Sequence, residues 1–324
     1  MNPMMTALKL PAINIDSEIE RLTGFIGDQI FNQYKRRGAV VGLSGGIDSA
    51  VTALLTLKAT GPENMLGLIL KEKESNPESA VFATELANAF NIELQTVDIT
   101  SILEAFSVYE TRDEVVRKYF PDFDGSQKWG LAQPGNLLES NALNFYSLCL
   151  ETPDGVVKKR IRPDDLRTII GTTNIKQRTR MIQLYKTAEI SNYLVAGTTN
   201  LSEAALGFYV KYGDGGVDIE PLAHLYKTYV FQIGRQLGVP QSILDRAPSP
   251  DTFSYTVTDE EFFFRLSYDA LDYILWAKEN GLSAGQIGSE VGISEEKVIA
   301  ILHDLQRKCV ASRHLRELPA TIKF

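Results

Sequence analysis

Six residues near the start of the chain, S-G-G-I-D-S at 44–49, have the types and spacing of a loop that binds phosphate. Glycine lets the backbone approach an anion closely, and the N–H groups at a helix start carry a partial positive charge. The pattern therefore predicts a phosphate-binding loop. The alternative is an ordinary strand-to-helix turn, with Asp48 and Ser49 placed in the first helical turn.

Two common glycine loops do not fit this stretch. A Walker A loop needs a lysine directly after its last glycine, and no lysine follows Gly46. A dinucleotide fingerprint needs the spacing G-x-G-x-x-G, which is also missing here. The loop is therefore predicted to hold phosphate through backbone and hydroxyl donors.

The flanking residues supply the strand and the helix that such a loop needs. Val40, Val41 and Leu43 indicate the end of a buried strand, and Ile47 and Val51 begin an apolar helical face that continues to residue 58. Further strands are predicted at 65–70, 92–97 and 193–196. Further helices are predicted at 13–37, 77–90, 101–117, 174–193 and 225–237. This alternation favours an α/β fold with a doubly wound, mostly parallel sheet and flanking helices.

The segment 107–167 interrupts the alternation. It mixes Pro, Gly, Asp and Asn with many aromatic residues, which are too frequent for a disordered linker. We interpret it as an ordered insertion within one domain spanning 1–324, with a turn or hairpin tip at 152–155. Its aromatic residues at 119–146 are expected to offer apolar surface to a second copy of the chain.

The last part of the chain, 259–324, is predicted to be helical. Residues 282–308 resemble a helix-turn-helix, but Glu295, Glu296 and Asp304 make the second helix unsuited to DNA. Two packed helices are the favoured interpretation. An ATP-binding sensor or DNA-bound regulator is the non-enzymatic alternative for the whole chain.

Composition narrows the functional class. The 324 residues are 44% hydrophobic and 23% charged, with a formal net charge of −8, which argues against a nucleic-acid partner. Cys149 and Cys309 form no C-x-x-C pair, and a reducing compartment fits. No apolar run approaches the length of a membrane span. We expect a cytoplasmic protein with neither nucleic acid nor membrane as partner.

The loop at 44–49 resembles the pyrophosphate loop of the N-type ATP pyrophosphatases, which cleave ATP between the α and β phosphates. The chain as a whole resembles the ammonia-dependent NAD synthetases, and the motifs follow the family's order. They are N-I-K-Q-R-T-R at 174–180, G-T-T-N-L-S-E at 197–203, K-Y-G-D-G-G-V-D at 211–218, P-L-A-H-L-Y-K-T at 221–228, A-P-S at 247–249, T-D-E-E at 258–261, Y-D-A-L-D at 268–272 and H-L-R-E-L-P at 314–319.

The resemblance implies a Rossmann-like fold and a two-step ligase reaction. ATP adenylates the nicotinate carboxylate of deamido-NAD with release of pyrophosphate, and ammonia then displaces AMP to leave NAD. It also implies Mg²⁺ and a homodimer. The runner-up is a related ATP pyrophosphatase that amidates another carboxylate.

The family's functional positions carry over to matching residues of this chain. The implied ATP-binding residues are Gly42, Leu43, Ser44, Gly45, Gly46, Ile47, Asp48, Ser49, Thr198, Lys227 and Ser249. The implied metal ligands are Asp48 and Glu203. The implied substrate residues are Arg178, Lys211, Asp218, His314 and Arg316, and the catalytic set is Asp48, Lys211 and Lys227. Taken singly, these residues have ordinary alternatives: Glu203 can be a helix-capping acid beside Ser202, and Arg178 can lie on a solvated helix face.

Three departures from the family pattern bear on the identity of the carboxylate substrate. The segment 107–167 is longer than usual. K-E-K-E-S at 71–75 replaces an uncharged Pro-Ser segment beside the adenine, so that only Ser75 matches. The tail reads His314-Leu315-Arg316 where His-Lys-Arg is usual. Leu315 cannot make the substrate contact of the family's lysine, and Arg316 could substitute for it.

Overall fold

A four-stranded parallel sheet forms the centre of the protein, in the strand order β3 (Glu93–Asp98), β2 (Met65–Lys71), β1 (Gly38–Gly42) and β7 (Tyr193–Ala196). The computed structural model describes residue 8 and residues 10–139 and 145–322. Residues 1–7, 9, 140–144 and 323–324, which the predicted domain includes, lie outside the described part. The seven strands are β1 (Gly38–Gly42), β2 (Met65–Lys71), β3 (Glu93–Asp98), β4 (Trp129–Ala132), β5 (Ser147–Thr152), β6 (Gly155–Arg160) and β7 (Tyr193–Ala196).

Helices cover both faces of this sheet. The helices are α1 (Ile15–Gly27), α2 (Ile47–Thr60), α3 (Pro77–Phe90), α4 (Thr100–Ala105), α5 (Val108–Tyr119), α6 (Pro163–Ser191), α7 (Leu201–Leu206), α8 (Lys227–Leu237), α9 (Gln241–Leu244), α10 (Tyr268–Glu279), α11 (Ala284–Val291), α12 (Glu295–Ala311) and α13 (Arg313–Arg316). Two π-helical turns (Asp28–Gln33 and Glu260–Phe264) and one 3₁₀ turn (Pro62–Asn64) complete the regular structure of the described residues.

Successive residues of β1 pack against opposite layers, as the two-residue period of a strand requires. Val41 belongs to the core formed with α1 and α2, whereas Val40 packs in a second core with Ala188 of α6. The predicted doubly wound sheet is thereby confirmed. From β1 the chain adds β2 and β3 on one side, and it then returns to add β7 on the other side of β1. The order of the strands therefore reverses between β1 and β7. A ligand of such a sheet binds outside the carboxyl ends of the strands at this point.

Several predicted helix limits differ from the structure. The helix predicted at 13–37 is α-helical only to Gly27, where a π-helical turn begins. The helix predicted at 101–117 is broken at Phe106 and Ser107, and Ser107 has a positive φ of 51°. The helix predicted from residue 174 instead starts at Pro163, since proline suits the first helical turn, and runs for 29 residues.

The segment 107–167, called the module below, contains α5, the antiparallel sheet β4-β5-β6 and the start of α6. The predicted hairpin tip is confirmed, because Thr152 pairs with Gly155 across a two-residue loop. The expectation that its aromatic residues form an exposed dimer surface is wrong for Phe120, Phe123 and Trp129, which are 7%, 4% and 2% exposed. They fill the module's own core.

The C-terminal helices close one end of the fold. Ile287 of α11 and Val298 of α12 are fully buried, which confirms the prediction of two packed helices at 282–308. Ser283 and Ser294 cap the two helices with their side chains. Within the described residues, no helix has the length and apolar character needed to cross a membrane.

Candidate active site

A cavity of about 950 Å³ opens at the carboxyl ends of the parallel strands. Its walls are the loops after β1, β2 and β7, the start of α8, the middle of α6, the loop 246–252 and the C-terminal residues His314 and Leu315. A volume of this order accommodates a substrate larger than a single nucleotide base. Residues from several of the sequence motifs therefore line one cavity.

The loop after β1 is shaped by its own hydroxyl groups. The Gly46 N–H donates to Ser44 Oγ at 3.3 Å, and Ser49 Oγ donates to the Gly46 carbonyl at 2.9 Å. Gly45 has a φ of +72°, and an added Cβ would lie 2.4 Å from the Ser79 carbonyl oxygen. Of the predicted residues 42–49, all except Gly45 line the cavity. Gly45 makes the turn that presents the others.

Three charged residues from distant parts of the chain meet beside this loop. The Lys227 ammonium contacts Asp48 Oδ2 and lies 3.4 Å from Glu203 Oε1. The Asn200 amide donates to Asp48 Oδ1 at 3.0 Å. Because Lys227 is only 2% exposed, its charge is compensated by these carboxylates rather than by water.

Glu203 is the helix-capping acid that its motif allowed, and it also lines the cavity. It completes a capping box at the start of α7, in which Asn200 Oδ1 accepts from the Glu203 N–H at 3.1 Å and Glu203 Oε2 accepts from the Asn200 N–H at 3.3 Å. The other oxygen, Oε1, is the one that faces Lys227. The helix cap thus orients the carboxylate toward the cavity.

Lys227 is held through the first turn of α8. Its N–H donates to Ser202 Oγ at 3.1 Å, and Ser202 Oγ donates to Asp272 Oδ1 at 2.5 Å. Asp272 Oδ2 accepts from both the N–H and the hydroxyl of Thr228, at 2.8 and 2.6 Å. Buried hydrogen bonds of this kind fix the direction of the lysine side chain.

Asp48, Glu203 and the nearby Asp259 outnumber the single lysine, Lys227, and this imbalance contributes to shifted pKa values within the group. Burial raises the pKa of Glu203, against the attraction of Lys227 and with the repulsion of Asp48. Burial also raises the pKa of Asp259, which lines the same cavity, to about 6. Burial alone would lower the pKa of Lys227, but Asp48, Glu203 and Asp259 outweigh it and raise that pKa. The lysine is therefore held charged.

The predicted substrate residues separate into two groups. Arg178, Lys211 and His314 line the cavity, as do Thr198 and Ser249 on the ATP side. Lys211 Nζ donates to the backbone carbonyls of His314 and Glu317 at 2.6 and 2.8 Å, which ties the glycine-rich loop 211–218 to the C-terminal segment.

Asp218 and Arg316 do not line the cavity. The Asp218 carboxylate accepts from Tyr185 OH at 3.0 Å and from the Val195 N–H at 2.8 Å, so that it braces β7. Arg316 donates to the carbonyls of Ala204 and Cys309 at 3.1 and 2.6 Å. Leu315, where the family's lysine is usual, lines the cavity, so that Arg316 lies apart from the place it was expected to fill.

Sequence reasoning missed several residues of the cavity wall. Arg246 donates to the Ser44 carbonyl at 3.3 Å and to Ser79 Oγ at 2.8 Å, which joins the phosphate loop to α3. Its position directly before the A-P-S motif was the one available signal. Tyr146 of the module and Phe262 and Phe263 form an aromatic part of the wall, with Tyr146 and Phe262 ring centroids 5.7 Å apart.

Comparison with known proteins agrees with this geometry. The chain is 38% identical over 332 residues to the NH(3)-dependent NAD(+) synthetase of Rhizobium rhizogenes, covering all of this chain and 99% of that protein. It is 35% identical over 302 residues to the NH(3)-dependent NAD(+) synthetase of Thermotoga maritima, covering 93% of this chain and 98% of that protein.

Solved structures resemble the whole fold. The NMN synthetase of Francisella tularensis matches with a TM-score of 0.67 and 26% identity, covering 97% of this chain and 100% of that one. The NH3-dependent NAD synthetase of Campylobacter jejuni matches in fold with a TM-score of 0.62 and 22% identity, covering 96% and 100% of the two chains. The NAD synthase family model matches residues 18–121 and 128–319, and the chain therefore belongs to the NAD synthase family.

Proposed function

We infer that this protein is an ATP-dependent ligase that amidates deamido-NAD to NAD with ammonia and releases AMP and pyrophosphate. The observation that carries this inference is the convergence of Asp48, Glu203 and Lys227 beside the loop 44–49, within a cavity that Arg178, Lys211 and His314 also line. Membership of the NAD synthase family supplies the substrate.

The reaction needs an activated carboxylate, because oxide is too poor a leaving group for ammonia to displace. In the first step a carboxylate oxygen of the substrate attacks the α phosphorus of ATP, and the bond to the β phosphate breaks. In the second step the ammonia nitrogen attacks the carboxyl carbon, and AMP departs with the bonding electron pair. The protein's part is to align two anions and to balance their charge.

We propose that the loop 44–49 and Lys227 hold the departing pyrophosphate. The hydroxyl groups of Ser44 and Ser49 and the N–H groups at the start of α2 are donors that suit phosphate oxygens, and the charged lysine adds to them. No lysine of the Walker type is present to direct transfer of the γ phosphate. These residues fit cleavage between the α and β phosphates.

Asp48 and Glu203 are proposed ligands of Mg²⁺. The described residues contain no group of three or more metal-binding side chains. Two carboxylates still fit this ion, because protein-bound magnesium takes one or two carboxylates and completes its coordination with phosphate oxygens and water. When bound, the ion would neutralise charge on the leaving pyrophosphate. Lys227 compensates the same two carboxylates in the structure.

On the opposite side of the cavity, we propose that Arg178, Lys211 and His314 bind deamido-NAD. Arg178 and Lys211 have cationic side chains, which suit phosphate and carboxylate groups. Asp218 is proposed to act indirectly by bracing β7, and Arg316 by holding the C-terminal segment against α7. A homodimer and a cytoplasmic location remain proposals. Ile182 and Ile190 of α6, 56% and 78% exposed, are candidates for the dimer contact.

The test is phosphorus NMR together with quantification of NAD, using ATP, Mg²⁺, deamido-NAD and either ammonium or glutamine. We expect AMP, pyrophosphate and NAD in equal amounts with ammonium, and little NAD with glutamine. In the described chain Cys149 is fully buried and Cys309 lies outside the cavity lining, so neither thiol is placed to release ammonia from glutamine. ADP and orthophosphate as primary products would overturn the proposal. A higher kcat/KM for nicotinate mononucleotide than for deamido-NAD would favour the alternative carboxylate.

A further inference from the structure

A cluster of buried charges borders the cavity, away from the proposed catalytic residues. Lys176 of α6 donates to Glu72 Oε1 at 2.8 Å and to Glu74 Oε2 at 2.6 Å, and Arg112 of α5 donates to the same Glu74 oxygen at 2.7 Å. Lys176 and Arg112 are fully buried, and Glu72 is 5% exposed. Both acids belong to the charged stretch 71–75 that departs from the family pattern.

The cluster joins two loops of the cavity. The backbone carbonyl of Thr252 accepts from Lys176 at 3.0 Å and from Arg112 at 3.3 Å. Next to it, the Asp251 carboxylate accepts from the Asn76 N–H at 3.0 Å and from Ser79 Oγ at 2.8 Å. These bonds set the separation between the loops 71–76 and 246–252. Because both loops line the cavity, the bonds also set its width at this point.

The module provides Arg112, one of the two cations that join these loops. Arg112 lies on α5, and its guanidinium stacks over the Trp129 ring of β4 at 4.6 Å and near the Phe253 ring at 5.4 Å. Tyr109, one turn earlier, donates its hydroxyl to Glu72 Oε2 at 2.7 Å. The position of Arg112 is therefore fixed by the core of the module on one side and by Glu74 on the other.

Stability alone does not account for the cluster. Removing four charged groups from water costs several kcal/mol per ion, and well-packed apolar residues often replace a buried ion pair without loss of stability. Each of its two carboxylates is already paired with a cation. What the ionic contacts add is a defined geometry for the two loops.

We propose that Arg112 and Lys176 are positioning residues, which hold the loops 71–76 and 246–252 at the spacing that ATP requires. The module thereby sets the affinity of the ATP half of the site without touching ATP. This inference rests on the proposed function in taking ATP as the ligand. It gives the module and the charged stretch 71–75 a common role.

The variant Arg112→Met removes the charge and keeps most of the apolar volume. Isothermal titration calorimetry with Mg²⁺ and ATP, without deamido-NAD, should show a Kd for ATP raised about tenfold, as expected when supporting residues loosen a binding geometry. The KM for deamido-NAD should stay within about twofold. The control is Arg117→Met, five residues further along α5, where the side chain is half exposed and 3.9 Å from Asp113. It should leave the Kd unchanged.

Two further variants keep the test decisive if Arg112→Met does not fold. Glu74→Gln is isosteric at a less buried position and should raise the Kd for ATP in the same direction. Arg112→Lys retains a cation but has one donor nitrogen in place of three. It should give a smaller rise in the Kd for ATP than Arg112→Met. An unchanged Kd for ATP in folded Glu74→Gln or Arg112→Met, or equal increases in Kd for ATP and KM for deamido-NAD, would overturn the inference.

The inference and the proposed function fail in different ways. If the wild-type protein binds ATP but does not convert deamido-NAD, the proposed function fails and the calorimetric comparison still decides the positioning role. If the wild-type protein makes NAD and the Arg112→Met protein binds ATP equally well, the positioning role alone is rejected.

Discussion

Lys227 and Asp48 lie 179 positions apart in the sequence and form an ion pair inside the cavity. The pair joins the first turn of α2 to the first turn of α8, so that two helix N-termini face the same region. Asn200 holds the second Asp48 oxygen at 3.0 Å. Lys227 is nearly inaccessible to solvent, so that the surrounding protein fixes the direction of its side chain.

Replacing Asp48 by Asn should lower kcat about 10²-fold or more, because a neutral amide cannot balance a cation at the leaving pyrophosphate. Asn still suits the first turn of a helix, and Lys227 keeps Glu203 as partner. Steady-state kinetics with circular dichroism as the folding control would check this. A folded Asp48→Asn protein with activity within fivefold of wild type would remove Asp48 from the catalytic set.

Lys211→Ala and Arg178→Ala should chiefly raise the KM for deamido-NAD. A charge-assisted contact to phosphate or carboxylate contributes roughly 1.5–3 kcal/mol, or about 10- to 150-fold in affinity. The KM for ATP should change much less. Lys186→Ala is the matched control, because Lys186 is an exposed cation on the same helix as Arg178 and does not line the cavity. Unchanged KM values in both test variants would mean that this wall does not bind the substrate.

Much of the fold and of the ATP half of the site could be predicted from local patterns. The runs at β1 and β2 are apolar because both faces of the sheet are covered, and Ser44 to Ser49 follow β1 directly. Side-chain direction could not be predicted in this way. Asp218 lies in a motif that indicates binding, yet its carboxylate turns toward β7, and this depends on tertiary packing.

The buried ion pairs of Lys176 and Arg112 with Glu72 and Glu74 could not be predicted from the sequence either. Charged residues such as Glu72 and Arg112 normally indicate solvent exposure, and only a partner far along the chain permits their burial. Likewise, Leu166, Ile169 and Ile170 have helical spacing in the first turns of α6, but the polar residues around them and Gly171 shorten this pattern, and the start of the helix at Pro163 was missed. Long-range contacts decide both cases.

Glu220 should make stability depend on pH. Its carboxylate accepts from the Thr199 N–H and hydroxyl, both at 3.1 Å, and burial raises its pKa from 4.5 to about 7. A group whose folded-state pKa is raised favours the folded state below its unfolded-state pKa, and this contribution is lost as pH rises toward 7. Between pH 4.5 and 7 the wild-type protein should lose about 1–3 kcal/mol of unfolding free energy relative to Glu220→Gln.

Urea unfolding of the Glu220→Gln and wild-type proteins at several pH values would measure this difference. Comparing the two proteins cancels the titration of groups that they share, provided these groups do not contact Glu220. A difference in unfolding free energy that stays constant from pH 4.5 to 7 would show that the Glu220 carboxylate titrates normally.

Gly45→Ala should damage ATP binding and stability together. The φ of +72° strains any L side chain, and the new Cβ would lie 2.4 Å from a backbone oxygen of Ser79, which cannot move without shifting α3. Strain of this type costs of order 1–3 kcal/mol, and the displaced loop would lose its alignment with phosphate. Calorimetry with ATP and thermal unfolding would measure the two effects.

Two control glycines separate the contributions to this effect. Gly292 also has a positive φ, of 77°, but an added Cβ would meet nothing within 4 Å, so that Gly292→Ala tests backbone strain alone. Gly171 lies within α6 with open space around it, and Gly171→Ala should be neutral or slightly stabilising. We expect Gly292→Ala to lower the melting temperature while leaving the Kd for ATP unchanged. If Gly45→Ala behaved like Gly292→Ala, the close approach of the loop to Ser79 would be irrelevant to ATP. If its Kd for ATP rose about tenfold or more, the packing of the loop 44–49 against α3 would be part of the ATP site.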